Sequence, residues 1–248
     1  MAKKSSDSRR SIVLEGNLIE YKLQISKQTK NIRFAVKVES GLTITVPFGL
    51  SLKNVDAVIH SKKEWILANL KKMAEKQVPE RKFTTGERLP LLGNTYVLVV
   101  EEAESNRISA VLQDGAFLVK VPAFLSAQER KKEIAGILEQ WYVREARSVI
   151  PRRVAEINRG FGFAYNRIAI KNQQTRWGSC SQLKNLNFNW RLLLAPPHIL
   201  DYIIVHELAH LKELNHSKRF WDLVESLFPR FREAEKWLKE NGAGLKLV

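Results

Sequence analysis

Cysteine and methionine are scarce in this chain of 248 residues, which has one cysteine, Cys180, and two methionines, Met1 and Met73. A single cysteine excludes a disulfide within the chain, and scarce cysteine is typical of proteins in a reducing compartment. We therefore expect a cytoplasmic protein.

Long hydrophobic runs are also lacking. The longest, such as Ile203-Ile204-Val205, are far shorter than the roughly 20 apolar residues of a membrane-spanning helix. The first ten residues are basic and serine-rich, but the apolar stretch after them reaches Glu15 too soon for a signal peptide. We expect no membrane segment, and we interpret residues 1–14 as a flexible basic tail.

Negative charge is in deficit. Lysine and arginine total 41 against 26 acidic residues, and residues 1–82 hold 17 basic and 8 acidic side chains. A positive field of this size favours a polyanionic partner such as RNA, DNA, a ribosome or a nucleotide. A solvated surface that only aids solubility is an equally good interpretation, because no zinc ribbon, RNP pattern or helix-turn-helix signature accompanies the charge.

Internal repeats and linkers rich in proline or glycine are not visible between residues 15 and 240. The hydrophobic pattern of the first half predicts strands that alternate with helices. The predicted strands cover Ile19 to Ile25, Ile32 to Val38, Leu42 to Val46, Thr95 to Val100, Ile108 to Leu112 and Phe117 to Val121. A helix is predicted from about Leu52 to Lys76, and Asp114-Gly115 is a hairpin turn.

A capping box formed by Ser126 and Glu129 opens a long helix that Pro151 should kink or break. Strands near 167–171 and 185–190 and then a buried helix follow. We expect an α+β fold with a strand-rich region that contains a helix at 15–125 and a second region with a small sheet at 126–248. The boundary near 125 has no linker to mark it.

The most informative motif is His206-Glu207-Leu208-Ala209-His210. Two histidines four residues apart lie on one face of a helix, about 6 Å apart along its axis, so both rings can reach one zinc ion. Glu207 projects beside that ion, where a carboxylate can take the proton of an activated water. The surrounding residues are apolar over most of the helix, and buried histidines need a partner such as a metal. The alternative is a pair of ordinary core histidines.

Two residues compete as a third ligand. Glu213 lies on the same helical face but about 10 Å of rise from His206, which favours an indirect role. His216 follows Asn215, a predicted helix stop, and precedes Ser217, a predicted cap of the next helix. His216 keeps the spacing of the metzincin zinc motif, but Glu213 replaces its turn glycine and no later methionine exists, so the chain is not a metzincin.

Residues 176–221 resemble the YgjP-like metal-dependent hydrolases, which are related to the SprT-like and WLM zinc peptidases. The matching residues are Arg176-Trp177-Gly178-Ser179-Cys180, Leu186 to Leu192, Ala195-Pro196-Pro197, Val205 to His210, Asn215-His216-Ser217 and Phe220-Trp221. The resemblance extends more weakly from about Ile19 to Trp237. It implies a zincin-like C-terminal domain with one zinc ion, with His206, His210 and His216 as ligands and Glu207 as catalytic base.

The function that we predict is a zinc-dependent hydrolase, and a metallopeptidase acting on polypeptides in particular. One alternative is a nucleoside triphosphate pyrophosphatase, although no glycine-rich phosphate loop is present. Another is a nucleic-acid-binding protein with a structural zinc, although structural sites usually have four ligands rich in cysteine. The sequence leaves the substrate and the oligomeric state open.

Other parts of the site are predicted less specifically. Leu186 to Trp190 is either an edge strand that aligns a peptide substrate or a plain packed strand. By residue type, Arg176, Tyr202 and Arg191 could each stabilise an oxyanion. We interpret Cys180 as a small residue near the core rather than as a thiol that touches the metal.

Overall fold

The computed structural model describes residues 7–37, 40–75 and 81–247. The chain divides into two compact units, residues 1–79 and residues 80–248. In both units runs of strands are followed by helices, so the α+β class expected from the sequence is confirmed. Among the described residues, none of the helices combines the length and the low polarity that crossing a bilayer requires.

The N-terminal unit consists of one four-stranded sheet and two helices. The strands lie in the order β1-β2-β4-β3, and the two central strands, β2 and β4, are parallel. The apolar side chains that alternate along β2 and β4 pack with those of the helices into one core. The elements are β1 (Asp7–Leu14), β2 (Asn17–Ser26), β3 (Arg33–Lys37), β4 (Gly41–Pro47), α1 (Leu52–Ser61) and α2 (Lys63–Glu75).

Two expectations for this unit were wrong. Residues 7–14, expected as part of a flexible tail, form β1, which pairs along its whole length with β2 and buries Leu14 completely. Residues 1–6 of that expected tail lie outside the described residues, as do Val38 and Lys76 at the ends of predicted elements. The single helix predicted after residue 52 is two helices separated at Lys62.

The C-terminal unit consists of a four-stranded sheet, a long helix, a three-stranded sheet and three shorter helices. The first sheet has the order β5-β6-β8-β7, and the second has the order β10-β11-β9. The elements are β5 (Arg88–Leu91), β6 (Asn94–Ala103), β7 (Ser109–Gln113), β8 (Ala116–Pro122), α3 (Ala127–Asn158), β9 (Arg167–Lys171), β10 (Gly178–Cys180), β11 (Asn185–Asn189), a 3-10 helix (Trp190–Leu194), α4 (Pro197–Ala209), α5 (Lys218–Leu227), α6 (Phe231–Asn241) and a 3-10 turn (Gly242–Gly244).

The capping box and the hairpin turn predicted for this region are confirmed, because Ser126 and Glu129 cap α3 reciprocally and Asp114 and Gly115 both have positive φ. Of the kink or break expected at Pro151, the break does not occur, since α3 continues through this residue to Asn158. Four buried residues of the same helix lie around Pro151 or just before it, and their packing holds the helix together. They are Tyr142, Ala146, Ile150 and Val154.

The two units repeat one topology, which the sequence did not reveal. In each unit, two antiparallel hairpins join through a parallel central pair of strands, and a helix follows the last strand. The first hairpin of each copy turns through a residue and a glycine with positive φ, Glu15-Gly16 and Leu92-Gly93. A serine occupies the N-cap of the following helix in both copies, Ser51 and Ser126.

The division after residue 79 differs from the boundary near 125 that the sequence suggested. The sheet β5–β8 shares one core with α3 and the elements after it. Phe117 of this sheet contacts Trp141 of α3 with ring centroids 4.7 Å apart, and the Tyr142 hydroxyl donates to the carbonyl oxygen of Pro90 at 2.6 Å. The apolar face of this sheet is therefore buried by α3, within the C-terminal unit.

Candidate metal centre

The helix α4 carries the central motif. It begins at Pro197, where a proline loses no needed hydrogen bond, and its residues are buried around most of its circumference. It ends at Ala209, earlier than the stop expected at Asn215. His210 nevertheless keeps near-helical backbone angles, and its amide donates to the carbonyl oxygen of His206 at 3.3 Å. The two histidines therefore keep the spacing of a helical turn.

Three histidines converge at the end of this helix. One ring nitrogen from each of His206, His210 and His216 lies within 4.8 Å of the others. The Nε2 atoms of His206 and His216 are 3.1 Å apart. His216 reaches this point because the chain turns after His210 and enters α5 at Ser217, which occupies the N-cap position without a side-chain cap bond.

Glu213 contributes its backbone to this cluster. His210 Nδ1 lies 3.0 Å from the carbonyl oxygen of Glu213, so in the neutral imidazole the Nδ1–H donates to that oxygen. This bond leaves the Nε2 lone pair of His210 available to a metal. Within the described part of the chain, the Glu213 carboxylate does not belong to a cluster that could hold a metal.

Two aromatic residues of α5 hold the imidazoles in place. The ring of Phe220 stacks on His210 at 4.4 Å and meets His206 and His216 edge to face. Trp221 stacks on His216 at 5.6 Å. Both residues lie on the first turn of α5, four and five residues after His216, and no sequence pattern indicated their contact with the imidazoles.

The Glu207 carboxylate lies next to β10. Glu207 is only 4% exposed, and its Oε2 atom has no hydrogen-bond partner among the described residues. Burial raises the pKa of Glu207 to about 8, and the positive charge of Arg176 partly opposes that rise. In the metal-free protein this group is therefore a poor acid near neutral pH and holds a proton.

The histidines are shifted in the opposite direction. Burial lowers the pKa of His206 to about 3, and the neighbouring His210 and His216 lower it further. Burial also lowers the pKa of His210. Both rings are therefore neutral at physiological pH, the state in which imidazole binds metals.

A cleft of about 510 Å³ opens over these groups. It contains the three histidines and Glu207, together with residues of β10 and of the helices α4 and α6. The remaining lining residues are Thr175, Arg176, Trp177, Gly178, Ser179, Cys180, Tyr202, Ile203, Leu214, Glu235 and Leu238.

This cleft contains two of the three residues whose side-chain chemistry suits them to stabilise an oxyanion. Arg176 is exposed at its wall, and Tyr202 lies beside His206 with ring centroids 5.9 Å apart. Burial and then the Glu235 carboxylate raise the pKa of Tyr202, so its hydroxyl stays protonated. Arg191 is held elsewhere, because its guanidinium stacks on Trp190 and donates to Asn172.

The edge strand beside the cleft is β10 rather than the segment from Leu186 to Trp190. β11 is the central strand of the small sheet, with β10 antiparallel on one side and β9 parallel on the other. Trp190 already belongs to the following 3-10 helix. Leu186 and Phe188 are fully buried in the core, so the packing interpretation of this segment holds.

Cys180 lies on the cleft wall at the end of β10 and is half-buried. Burial, followed by the nearby Glu207 charge, raises the pKa of its thiol. The thiol is therefore protonated, and among the described residues it is not part of the histidine cluster. The cysteine lines the cleft and also packs against the core, so its interpretation as a small residue near the core is confirmed.

Over 54 residues the chain is 41% identical to the UTP pyrophosphatase of Escherichia coli (strain K12), a match that covers 20% of this chain and 32% of that protein. The chain thus spans about a third of the length of that relative.

Two crystal structures of metallopeptidase zymogens are also similar to part of the chain. Pyrococcus abyssi abylysin is 23% identical and Methanocaldococcus jannaschii jannalysin is 28% identical, each with a TM-score of 0.34 over 37% of this chain and 94% of the other.

The broadest match is to a family whose description is YgjP-like, metallopeptidase domain, and it covers residues 30–241. This range includes the helix α4, the edge strand β10 and all three histidines. The chain therefore belongs to the YgjP-like family of metallopeptidase domains.

Proposed function

We propose that this protein is a zinc-dependent peptidase in which His206, His210 and His216 hold the ion and Glu207 is the general base. The observation that carries the proposal is the convergence of three imidazole nitrogens beside a buried carboxylate in one cleft. Three histidines and an open approach from the cleft are typical of catalytic zinc sites, whereas structural sites are closed by four ligands.

The donor set fits a zinc ion. Two nitrogens that share a tetrahedral ion with bonds of about 2.0–2.1 Å are about 3.3 Å apart, and the Nε2 atoms of His206 and His216 are 3.1 Å apart. The Nδ1–H of His210 is engaged by the Glu213 carbonyl, which directs Nε2 to the common point. His216 is exposed, so the ion has access from the cleft.

An ion held by the three histidines would supply Lewis acidity that lowers the pKa of a water molecule. Its positive charge would also favour the ionised form of Glu207, whose Oε2 has no competing partner among the described residues and could then take the proton of the attacking water. In peptide hydrolysis, the same carboxyl group gives that proton to the leaving amine. Arg176 and Tyr202 line the cleft, and the Arg176 guanidinium presents donors to negative charge that develops there, whereas the Tyr202 hydroxyl is hydrogen-bonded to Glu235.

Family membership favours a peptide substrate, and β10 supports it. This strand lies at the edge of its sheet within the cleft wall, and an extended peptide can add to such an edge through backbone hydrogen bonds.

A nucleoside triphosphate is the second candidate substrate. The partial likeness to a UTP pyrophosphatase favours it, and the same Lewis acid and base can hydrolyse a phosphoanhydride. The positive charge of Arg176 at the cleft wall suits a phosphate chain as well as a peptide carboxylate.

The test compares the parent with Glu207→Gln on flexible polypeptides and on UTP, with zinc measured in both proteins. The amide keeps the shape of the side chain but cannot accept a proton. We expect unchanged zinc content and a fall in hydrolysis of about 10²- to 10⁴-fold. Full activity of the variant would exclude Glu207 as the base, and the substrate that the parent cleaves decides between the two candidates.

We also propose that the basic N-terminal unit binds a polyanion. Residues 1–79 contain 15 basic and 7 acidic side chains, a larger excess per residue than in the rest of the chain. RNA titration over a range of salt concentrations tests this proposal, because binding through phosphates weakens steeply with salt. Binding that is absent, or independent of salt, would exclude it.

A further inference from the structure

The side chain of Glu207 occupies the volume that a side chain at position 178 would fill. A Cβ atom built on Gly178 would lie 2.5 Å from Oε1, 2.7 Å from Cγ and 2.8 Å from Cδ of Glu207. Rotation of the terminal carboxylate alone cannot relieve these contacts, because Cγ is among the atoms in contact. The whole side chain of Glu207 would have to move.

The backbone of Gly178 does not itself require glycine. Its φ angle is outside the left-handed region that favours glycine, and it lies in an ordinary antiparallel pair opposite Phe188. Glycine destabilises a strand relative to alanine at such a position. The neighbouring carboxylate therefore gives a physical reason for glycine here that the backbone does not give.

The helix α4, which carries Glu207, and the strand β10, which carries Gly178, are each fixed by hydrogen bonds to neighbouring elements. On α4, Asp201 accepts two hydrogen bonds from Arg153 of α3, at 2.6 and 2.7 Å. On the other side, the backbone N–H of Asn189 donates to the carbonyl oxygen of Trp177 at 2.8 Å, and the side-chain amide of Asn187 donates to the Ser179 hydroxyl. Neither the helix nor the strand can move away freely to admit a larger residue.

We propose that Gly178 is a positioning residue for hydrolysis: its missing side chain creates the slot against β10 in which the Glu207 carboxylate is held beside the three histidines. A side chain at position 178 would project from the same face of β10 as Cys180, because successive residues of a strand point to opposite faces. A Cβ at Gly178 would displace the carboxylate from the position that proton transfer needs. This inference rests on the proposed role of Glu207 as general base.

A double-mutant cycle on melting temperature tests the slot without reference to activity. Gly178→Ala in the parent should lower the melting temperature by about 3 °C or more, because the new methyl group and Glu207 overlap. In a Glu207→Ala background the overlap is absent, and the same substitution should leave the melting temperature unchanged or raise it. In a Glu207→Gln background the loss should persist, since the amide keeps Cγ and Cδ.

If Gly178→Ala does not fold alone, recovery of folding in Gly178→Ala/Glu207→Ala supports the proposal in the same way. Equal losses in the parent and in the Glu207→Ala background would overturn it, because glycine would then be required for another reason. Gly136→Ala is the matched control: Gly136 lies within α3, and a methyl group added there would contact nothing within 4 Å. It should not lower the melting temperature.

Activity supplies the second readout. Gly178→Ala should retain zinc, because the histidines are untouched, while kcat falls by about 10²-fold or more, since a misplacement of about 1 Å can cost that much. In the Glu207→Gln background it should cause no further fall. Full kcat in Gly178→Ala would also overturn the proposal. A parent without hydrolytic activity would instead exclude the proposed function, and the melting-temperature cycle would still report on the slot.

Discussion

The Nε2 atoms of His206 and His216 lie 3.1 Å apart, although one belongs to a buried helix and the other to the exposed loop before α5. Two imidazole nitrogens that face each other at this distance are close enough to bind one ion between them. The loop that brings His216 there is short and begins directly at the end of α4, where His210 supplies the third nitrogen.

The first prediction concerns the third ligand. His216→Ala should weaken zinc binding by more than about 100-fold, because loss of an outer partner alone already costs about 10- to 100-fold. Competition with a chromophoric chelator measures this affinity. His60→Ala, at an exposed position of the N-terminal unit, is the matched control and should bind zinc as the parent does.

Glu213→Gln provides the decisive comparison. The contact of Glu213 with His210 is through its backbone, so replacing its carboxylate should leave zinc affinity within a few-fold of the parent. The ligand assignment would be refuted by the opposite pattern, in which Glu213→Gln loses zinc and His216→Ala keeps it.

The second prediction concerns β1. Deletion of residues 1–14 removes a strand that pairs along its full length with β2, and it removes Leu14 from the core. Burial of one leucine side chain contributes about 1.5–3 kcal/mol, so the unfolding free energy of the N-terminal unit should fall by at least this much. Hydrogen exchange of the backbone amides of β2 and β4, measured at increasing denaturant concentration, reports the loss of unfolding free energy.

Deletion of residues 1–6 is the control for this truncation, since it leaves all the residues of β1 in the chain. It should not change the exchange rates of β2. Unaltered stability after the longer deletion would mean that β1 adds nothing to the unit.

The sequence could predict those parts of the site that depend on local spacing. The interval between His206 and His210 is fixed by one helical turn, so the pattern was sufficient to pair them. Gly178, Phe220 and Trp221 act on the site through tertiary contacts, and no periodicity in the sequence links Gly178 to Glu207. The order of the small sheet was missed because β10 has only three residues, too few for an alternating pattern.

The fold shows the same limit. β2 and β4 were predictable because their apolar residues alternate, whereas β1 carries Arg9 and Arg10 in its middle and buries mainly Leu14. The helix α3 survives Pro151 because packing outweighs the intrinsic preference of that residue. The repeated topology was invisible because the two copies share turn and cap positions rather than a long similar sequence.

The third prediction is a pH dependence of the metal-free protein. Glu207 has a folded pKa of about 8 against an ordinary 4.5, so the folded state binds its proton more tightly, and its stabilising contribution is lost as pH rises from 4.5 to 8. His206 has a folded pKa of about 3 against an ordinary 6.5, so its contribution is present above pH 6.5 and is lost as pH falls below it.

Between pH 4.5 and 6.5 these two groups cancel, because the unfolded state gains the histidine proton and the folded state keeps the glutamate proton. Melting temperature measured with a chelator from pH 4 to 9 should therefore vary least in this range, where the lowered pKa of His210 leaves only a small slope, and should fall on both sides. Glu207→Gln should remove the alkaline fall and keep the acidic one. An alkaline fall of equal size in that variant would assign it to another group.

The last prediction concerns the division of the chain. A fragment of residues 80–248 should unfold cooperatively and bind zinc as the full chain does, because it keeps the whole core that surrounds α3 and α4. A fragment of residues 126–248 should not, since it loses the sheet β5–β8. Phe117, which contacts Trp141 and Tyr142 with centroids 4.7 and 5.6 Å away, would be missing, and the Tyr142 hydroxyl would lose its bond to Pro90.

Calorimetry and near-ultraviolet circular dichroism of the two fragments, followed by zinc titration, compare them directly. Exposure of the two large aromatic rings on α3 should leave the shorter fragment without a sharp transition, because large rings of this kind contribute several kcal/mol each to a core. A cooperative, zinc-binding fragment of residues 126–248 would restore the boundary near residue 125 and would make the sheet β5–β8 an accessory to the hydrolase rather than part of its core.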